Sequence, residues 1–171
     1  MASDLGEFHA VRGVGFVYKK AGKKITPLLT GGGQEKDFRS TTENVAGIAS
    51  MAKALRLVTD KEEFSLPKIA KMKKIIFDEL AKYEDITIFS GEGEDFAPNI
   101  LTFGIKGVRG EVIVHAFEEH QIYISTTSAC SSKAGKPAGT LISMGVPTKL
   151  AQTAVRISLD DDNDMGQVEQ F

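Results

Sequence analysis

A chain of 171 residues with 42% hydrophobic and 26% charged side chains has the make-up of an ordinary soluble globular domain, long enough to bury its own core without disulfide or metal staples. The formal net charge of -2 and pI near 5.9 leave no basic footprint for nucleic acid, and no apolar run is long enough to cross a bilayer. A single cysteine rules out an internal disulfide, and the N-terminus carries no secretory pattern, so the expected compartment is a reducing cytoplasm.

In chain order, residues 1–7 read as foreign sequence or a broken start. Residues 15–18 predict a short strand, 21–24 a turn and 25–29 a second extended segment, after which Gly31-Gly32-Gly33 breaks regular structure. From Thr42 a hydroxyl N-cap and apolar positions Val45, Ile48, Ala49, Ala52, Leu55 and Val58 predict a helix ending near Thr59. A second helix follows Pro67, with Ile69, Met72, Ile75, Ile76, Leu80 and Tyr83 as its buried stripe and Lys71, Lys73 and Lys74 on its solvated face. Residues 86–89 alternate as a strand, and 91–95 form a polar loop. A strand over 99–105, a helix over 111–119 and a strand over 121–125 then make a strand-helix-strand unit.

The loop that follows, 126–139, holds the cysteine. A helix through 141–144, another opened by Pro147-Thr148, and a strand over 155–159 complete the pattern, and a new helical pattern starts just as the chain stops at Val168-Glu169-Gln170-Phe171. The order predicts an α/β (α+β) fold: a small, mostly antiparallel sheet with helices packed on one side. The expected division is trailing strands and a connection of a larger domain over 8–41 and a small domain over 42–171.

Free cysteines are most often buried small hydrophobes, but Cys130 lies among small and polar residues with Lys133 and Lys136 nearby. A mobile, exposed loop of that kind favours the nucleophilic thiolate. Arg156 falls in the apolar strand Ala154-Val155-Arg156-Ile157-Ser158-Leu159, a costly place for a charge unless the alternation turns it to solvent or a partner neutralises it. Its planar fork suits a carboxylate. Thr42, read at a helix start, is an ordinary cap or a phosphate contact. His9, His115 and His120 lack metal-ligand spacing, and Asp160-Asp161-Asp162-Asn163-Asp164 carries Met165 where a calcium loop needs glycine. No metal site is expected, and the acidic run reads as a helix start.

The run Ser128-Ala129-Cys130-Ser131-Ser132 resembles the active-site loop of cysteine desulfurases of the nitrogen-fixation type, in the class V aminotransferase superfamily. So do, in the same order as in that family, Arg12-Gly13-Val14-Gly15-Phe16, Gly31-Gly32-Gly33-Gln34-Glu35, Arg39-Ser40-Thr41-Thr42-Glu43-Asn44, Val108-Arg109-Gly110-Glu111 and Val155-Arg156-Ile157-Ser158-Leu159. The resemblance implies the small C-terminal domain of a fold-type I pyridoxal-phosphate enzyme that converts L-cysteine to L-alanine. Cys130 would accept sulfur as a persulfide, Arg156 would hold the substrate α-carboxylate, and Thr42 would reach the cofactor phosphate of the neighbouring subunit in a homodimer. A sulfur-acceptor or scaffold protein would take the persulfide onward, for iron–sulfur cluster assembly or thiolation.

Two departures stand out. The position of the cofactor-binding lysine matches Glu7, which cannot form the imine with the cofactor aldehyde, and Thr41 replaces a glycine. The chain alone is therefore expected to be inactive. A non-catalytic sulfur carrier or dimerisation domain, and a selenocysteine lyase, are the alternatives.

Overall fold

The computed structural model describes residues 10–93, 95–127 and 139–171, with 2–4 described by backbone alone. The chain divides into two compact units, Met1–Glu63 and Phe64–Phe171.

In the first unit, strand β1 (Ala2–Asp4) pairs antiparallel with β2 (Gly15–Val17). The predicted extended segment over 25–29 forms no strand, because it finds no ladder partner among the described residues. Instead the Ser40 amide donates to the Leu29 carbonyl at 3.1 Å and closes a loop containing a 3-10 turn, Gln34–Asp37. Glu35, Lys36 and Asp37 all take positive φ, between 50° and 66°, a conformation costly for residues with a β-carbon.

Helix α1 spans Val45–Leu80 as one element, where the sequence predicted two. Neither expected break acts as one. The Thr59 hydroxyl donates to the Leu55 carbonyl at 2.9 Å, a bond made inside a helix, and Pro67 is carried within the helix. The cap is also displaced. Asn44, not Thr42, accepts from the Gly47 amide at 3.0 Å, leaving Thr42 exposed ahead of the helix. Gly47 is the only buried residue among those described in this unit, and a β-carbon there would collide with Val14 and Asn44.

The second unit is built on a four-stranded antiparallel sheet in the order β3 (Ile86–Ile88), β4 (Ile100–Ile105), β6 (Ala154–Ser158), β5 (Ser125–Thr126). Helix α2 (Gly110–Glu118) connects β4 to β5, and β6 inserts between them. The strand predicted over 121–125 contracts to β5 because Gln121 takes φ 62° and closes a turn against Glu118.

Alternation sorts the sheet into two faces. Leu101, Phe103, Val155 and Ile157, with Ile86 and Ile88 beside them, meet Ile69, Met72, Ile76 and Leu80 of α1, Ile113 of α2 and Val168 of α5 (Met165–Gln170) in one core. Phe117 and Phe171 stack at 5.0 Å between ring centres, and both meet Phe103 edge-on at 6.4 Å. The acidic run is a helix start as expected: Asp164 accepts from the Gln167 amide, and the Gln167 side chain returns the bond. At one end of the opposite face, Leu141 of α3 (Gly139–Ser143) and Ala151 of α4 (Thr148–Ala151) cluster with Ala154, Phe89 and Val146.

Lys73 departs from its expected place in solvent. It is buried, and its ammonium donates to the Ala97 carbonyl at 2.9 Å and the Gly91 carbonyl at 3.1 Å, pinning the 91–97 loop to α1. Burial lowers its pKa, and Glu92 partly opposes that shift.

Candidate functional site

Arg156 is the third residue of β6, and its neighbours Val155 and Ile157 point into the core, so period two sends its side chain to the opposite face. The side chain does not run free into water. The residue is half-buried, its Nε is buried, and that atom has no hydrogen-bond partner among the described residues. No carboxylate among the described residues forms an ion pair with Arg156 either. A guanidinium whose Nε–H is buried without an acceptor suits an anion with two acceptor oxygens.

Strand register supplies its surroundings. Arg156 pairs with Thr102 on β4 and with Ser125 on β5. The Leu159 amide donates to the Asn99 carbonyl, and the Phe89 amide donates to the Thr102 carbonyl. Thr102 therefore turns its backbone groups to Phe89 and Ser90, just past β3, and Thr102 and Arg156 are a non-hydrogen-bonded pair, the arrangement in which facing side chains approach closest. On the other side, the bond from the Thr127 amide to the Ala154 carbonyl makes Ser125 and Arg156 a hydrogen-bonded pair. One row across the sheet thus reads Phe89, Thr102, Arg156, Ser125. The sequence analysis singled out Arg156 from this row and missed the two hydroxyls, whose signal was parity: Thr102 lies between the core residues Leu101 and Phe103.

Cys130 lies outside the described residues, as does the rest of 128–138, so the expected mobility of its loop does too. What is described are the two posts of that segment. Thr127 donates both its amide and its hydroxyl to the Ala154 carbonyl at 3.5 Å, and Leu141, just after Gly139, packs on Ala154. Ala154 is two residues from Arg156 on the same strand face. Thr42 lies in the first unit, exposed, and Glu7 is outside the described residues. No group of acidic, histidine or cysteine side chains among the described residues is arranged to hold a metal ion, and no described helix is long and apolar enough to cross a membrane.

Arg156 thus lies on the sheet face opposite the main core, with α3 and α4 at the Ala154 end of the same face. The profile of the family described as Aminotransferase class-V matches residues 7–171, and the chain belongs to that family. Within it, the chain is 47% identical over 165 residues to a NifS/IcsS protein homolog of Lactobacillus delbrueckii subsp. bulgaricus, covering 96% of this chain and 43% of that protein. It is 33% identical to the cysteine desulfurase IscS of Dictyoglomus turgidum, over 90% of this chain and 39% of that enzyme. A solved NifS-like protein superposes with a TM-score of 0.79 at 29% identity, over 98% of this chain and 42% of the other. The chain spans about two fifths of the length of the curated relatives it matches.

Proposed function

We propose that this chain is a portion of a cysteine desulfurase, contributing the group that holds the substrate carboxylate, Arg156, and the sulfur acceptor, Cys130. The observation that carries the reading is the buried, unpartnered Nε of Arg156 on the sheet face beside which the Cys130 segment is rooted. The names of the relatives support the chemistry.

In that reading Arg156 fixes the α-carboxylate of L-cysteine by its two-pronged donor edge and so orients the substrate sulfur. The Cys130 thiolate attacks that sulfur: an S–S bond forms, the C–S bond breaks, and the electron pair left on the β-carbon takes a proton, giving alanine and a Cys130 persulfide. An acceptor or scaffold protein then takes the sulfur, for iron–sulfur cluster assembly or thiolation.

Pyridoxal phosphate, which the family implies, supplies an electron sink when bound. The described residues fit it at one point only: the exposed Thr42 hydroxyl suits a phosphate oxygen, in a homodimer that of the neighbouring subunit. Glu7 stands where the covalent lysine is expected and offers the cofactor aldehyde no amine, so the chain by itself turns over no cysteine. Its compartment in this reading is the cytoplasm. Glu7 equally favours a second reading, a non-catalytic sulfur carrier or dimerisation domain.

The deciding experiment is sulfide release from L-cysteine under reducing conditions, by the 171-residue chain alone and together with a polypeptide supplying a cofactor-binding portion. Turnover by the mixture and none by the chain supports the desulfurase reading. Turnover by the pure chain contradicts the part assigned to Glu7, and none in the mixture favours the carrier.

A further inference from the structure

The row across the sheet contains more than Arg156. Thr102 and Ser125 are its direct neighbours in the ladder, one on each side, and both side chains are half-buried on the same face. The backbone of Thr102 is fully committed: its amide donates to the Ser90 hydroxyl at 2.9 Å and its carbonyl accepts from Phe89. Its own hydroxyl has no partner among the described residues, and neither has that of Ser125. Two hydroxyls with no partner among the described residues therefore flank one buried donor, Arg156 Nε, on a face that α3 and α4 cover only at the Ala154 end. Structural hydroxyls in strands ordinarily bond to a neighbour or to water, and a buried guanidinium N–H without an acceptor is unfavourable by itself. An anion lying along the row satisfies all three.

We propose that Thr102 and Ser125 are further binding residues that complete the carboxylate subsite of Arg156, each donating its hydroxyl to the bound carboxylate. The inference rests on the reading of Arg156 given above and extends it. Two hydroxyls flanking a planar fork bind an acceptor with two oxygens in the plane of the row. Arg156 selects a carboxylate over a neutral amide, whose NH2 group would face the guanidinium N–H groups donor to donor, and the hydroxyls hold the selected carboxylate in place. Both residues are positions where the family assignment by itself names no role.

The test is nuclear magnetic resonance of the ¹⁵N-labelled 171-residue chain, following the Nε–H signal of Arg156, assigned by its loss in Arg156→Lys. The probes are L-alanine, which carries the carboxylate without a reactive thiol, and L-alaninamide, which lacks it. L-alanine is expected to shift the signal saturably and L-alaninamide to leave it in place. Thr102→Val and Ser125→Ala should each weaken L-alanine binding by about 10- to 100-fold, the loss expected for one hydrogen bond to a charged acceptor, and Thr102→Ser should restore it to within about 2-fold. Thermal unfolding midpoints of the variants identify any loss that comes from misfolding. Unchanged affinity in both Thr102→Val and Ser125→Ala overturns the role of the hydroxyls while leaving Arg156 as the carboxylate group. An Arg156 signal that ignores L-alanine, or follows L-alaninamide equally, overturns the subsite itself. Intact carboxylate binding with no sulfide in the assembled enzyme removes the desulfurase reading and keeps the row.

Discussion

The hydroxyl of Thr153 occupies the space that a β-carbon on Gly104 would fill, while donating to the Leu150 carbonyl at 2.8 Å. Both residues are buried, and Gly104 pairs with Ala154, so this contact seats the start of β6 and the end of α4 on the sheet. Gly104→Ala should destabilise the second unit by about 1–3 kcal/mol, because the added methyl must push a buried side chain that is held by its own hydrogen bond. Urea unfolding measures it. The double variant Gly104→Ala/Thr153→Ala should lose less than the sum of the two single changes, and strict additivity would mean the two residues are not in contact.

Lys73 gives a pH signature. Burial lowers its pKa, so between that lowered value and the ordinary 10.5 the unfolded chain binds more protons than the folded one, and stability conferred by this residue rises with pH. Below the lowered value the charged amine is buried at a constant penalty. Lys73→Met should therefore lose ground to the unmodified chain as pH is raised towards 10.5. At neutral pH the same variant leaves the Gly91 and Ala97 carbonyls without their donor, at a cost of about 1–3 kcal/mol. Urea midpoints at several pH values test both halves, and a difference that shrinks with rising pH contradicts the sign.

Phe171, the last residue, stacks on Phe117 and meets Phe103 edge-on. Phe171→Ala should cost about 2–3 kcal/mol from lost burial and ring contacts, discounted because the residue is half-buried. Loss of near-ultraviolet circular dichroism with far-ultraviolet signal retained would report it at the level of packing. An unchanged unfolding midpoint would mean that α5 is dispensable.

How much of this was legible in the sequence follows from how local each cause is. Strands β4 and β6 were legible because Leu101, Phe103, Val155 and Ile157 alternate with polar or small residues, and α2 because its apolar residues recur at helical spacing. The merging of two helices into α1 was not, since Thr59 acts as a stop only if its hydroxyl is free, and here it bonds back to Leu55. The burial of Lys73 was hidden by its residue type: the two carbonyls that hold it come from the 91–97 loop, some twenty residues away. At the site, Arg156 stood out as a charge in an apolar strand. Thr102 and Ser125 became visible only through register, which no single strand contains. Cys130 rests on sequence resemblance alone.

On the proposed reading of the chain as a portion of a cysteine desulfurase, Arg156 and Cys130 should fail in different ways in the assembled enzyme. Arg156→Lys keeps the positive charge but loses the planar, two-pronged donor edge, so the carboxylate is held by a point charge on a flexible stem. The interaction lost is with a group that does not react, and it is made in the ground state as well as in the transition state. KM for L-cysteine should therefore rise by about 10- to 100-fold, with a smaller fall in kcat arising from poorer orientation of the sulfur. Cys130→Ala removes the only thiol in the chain, so no persulfide can form and no sulfide should appear at any substrate concentration. Alkylation of Cys130 separates the two further: Arg156→Lys should leave its rate near pH 7 unchanged, because the thiol is not part of the carboxylate subsite. A variant Arg156→Lys with normal KM would sever the arginine from the substrate. Sulfide release by Cys130→Ala would leave the resemblance in the Cys130 segment without the role assigned to it.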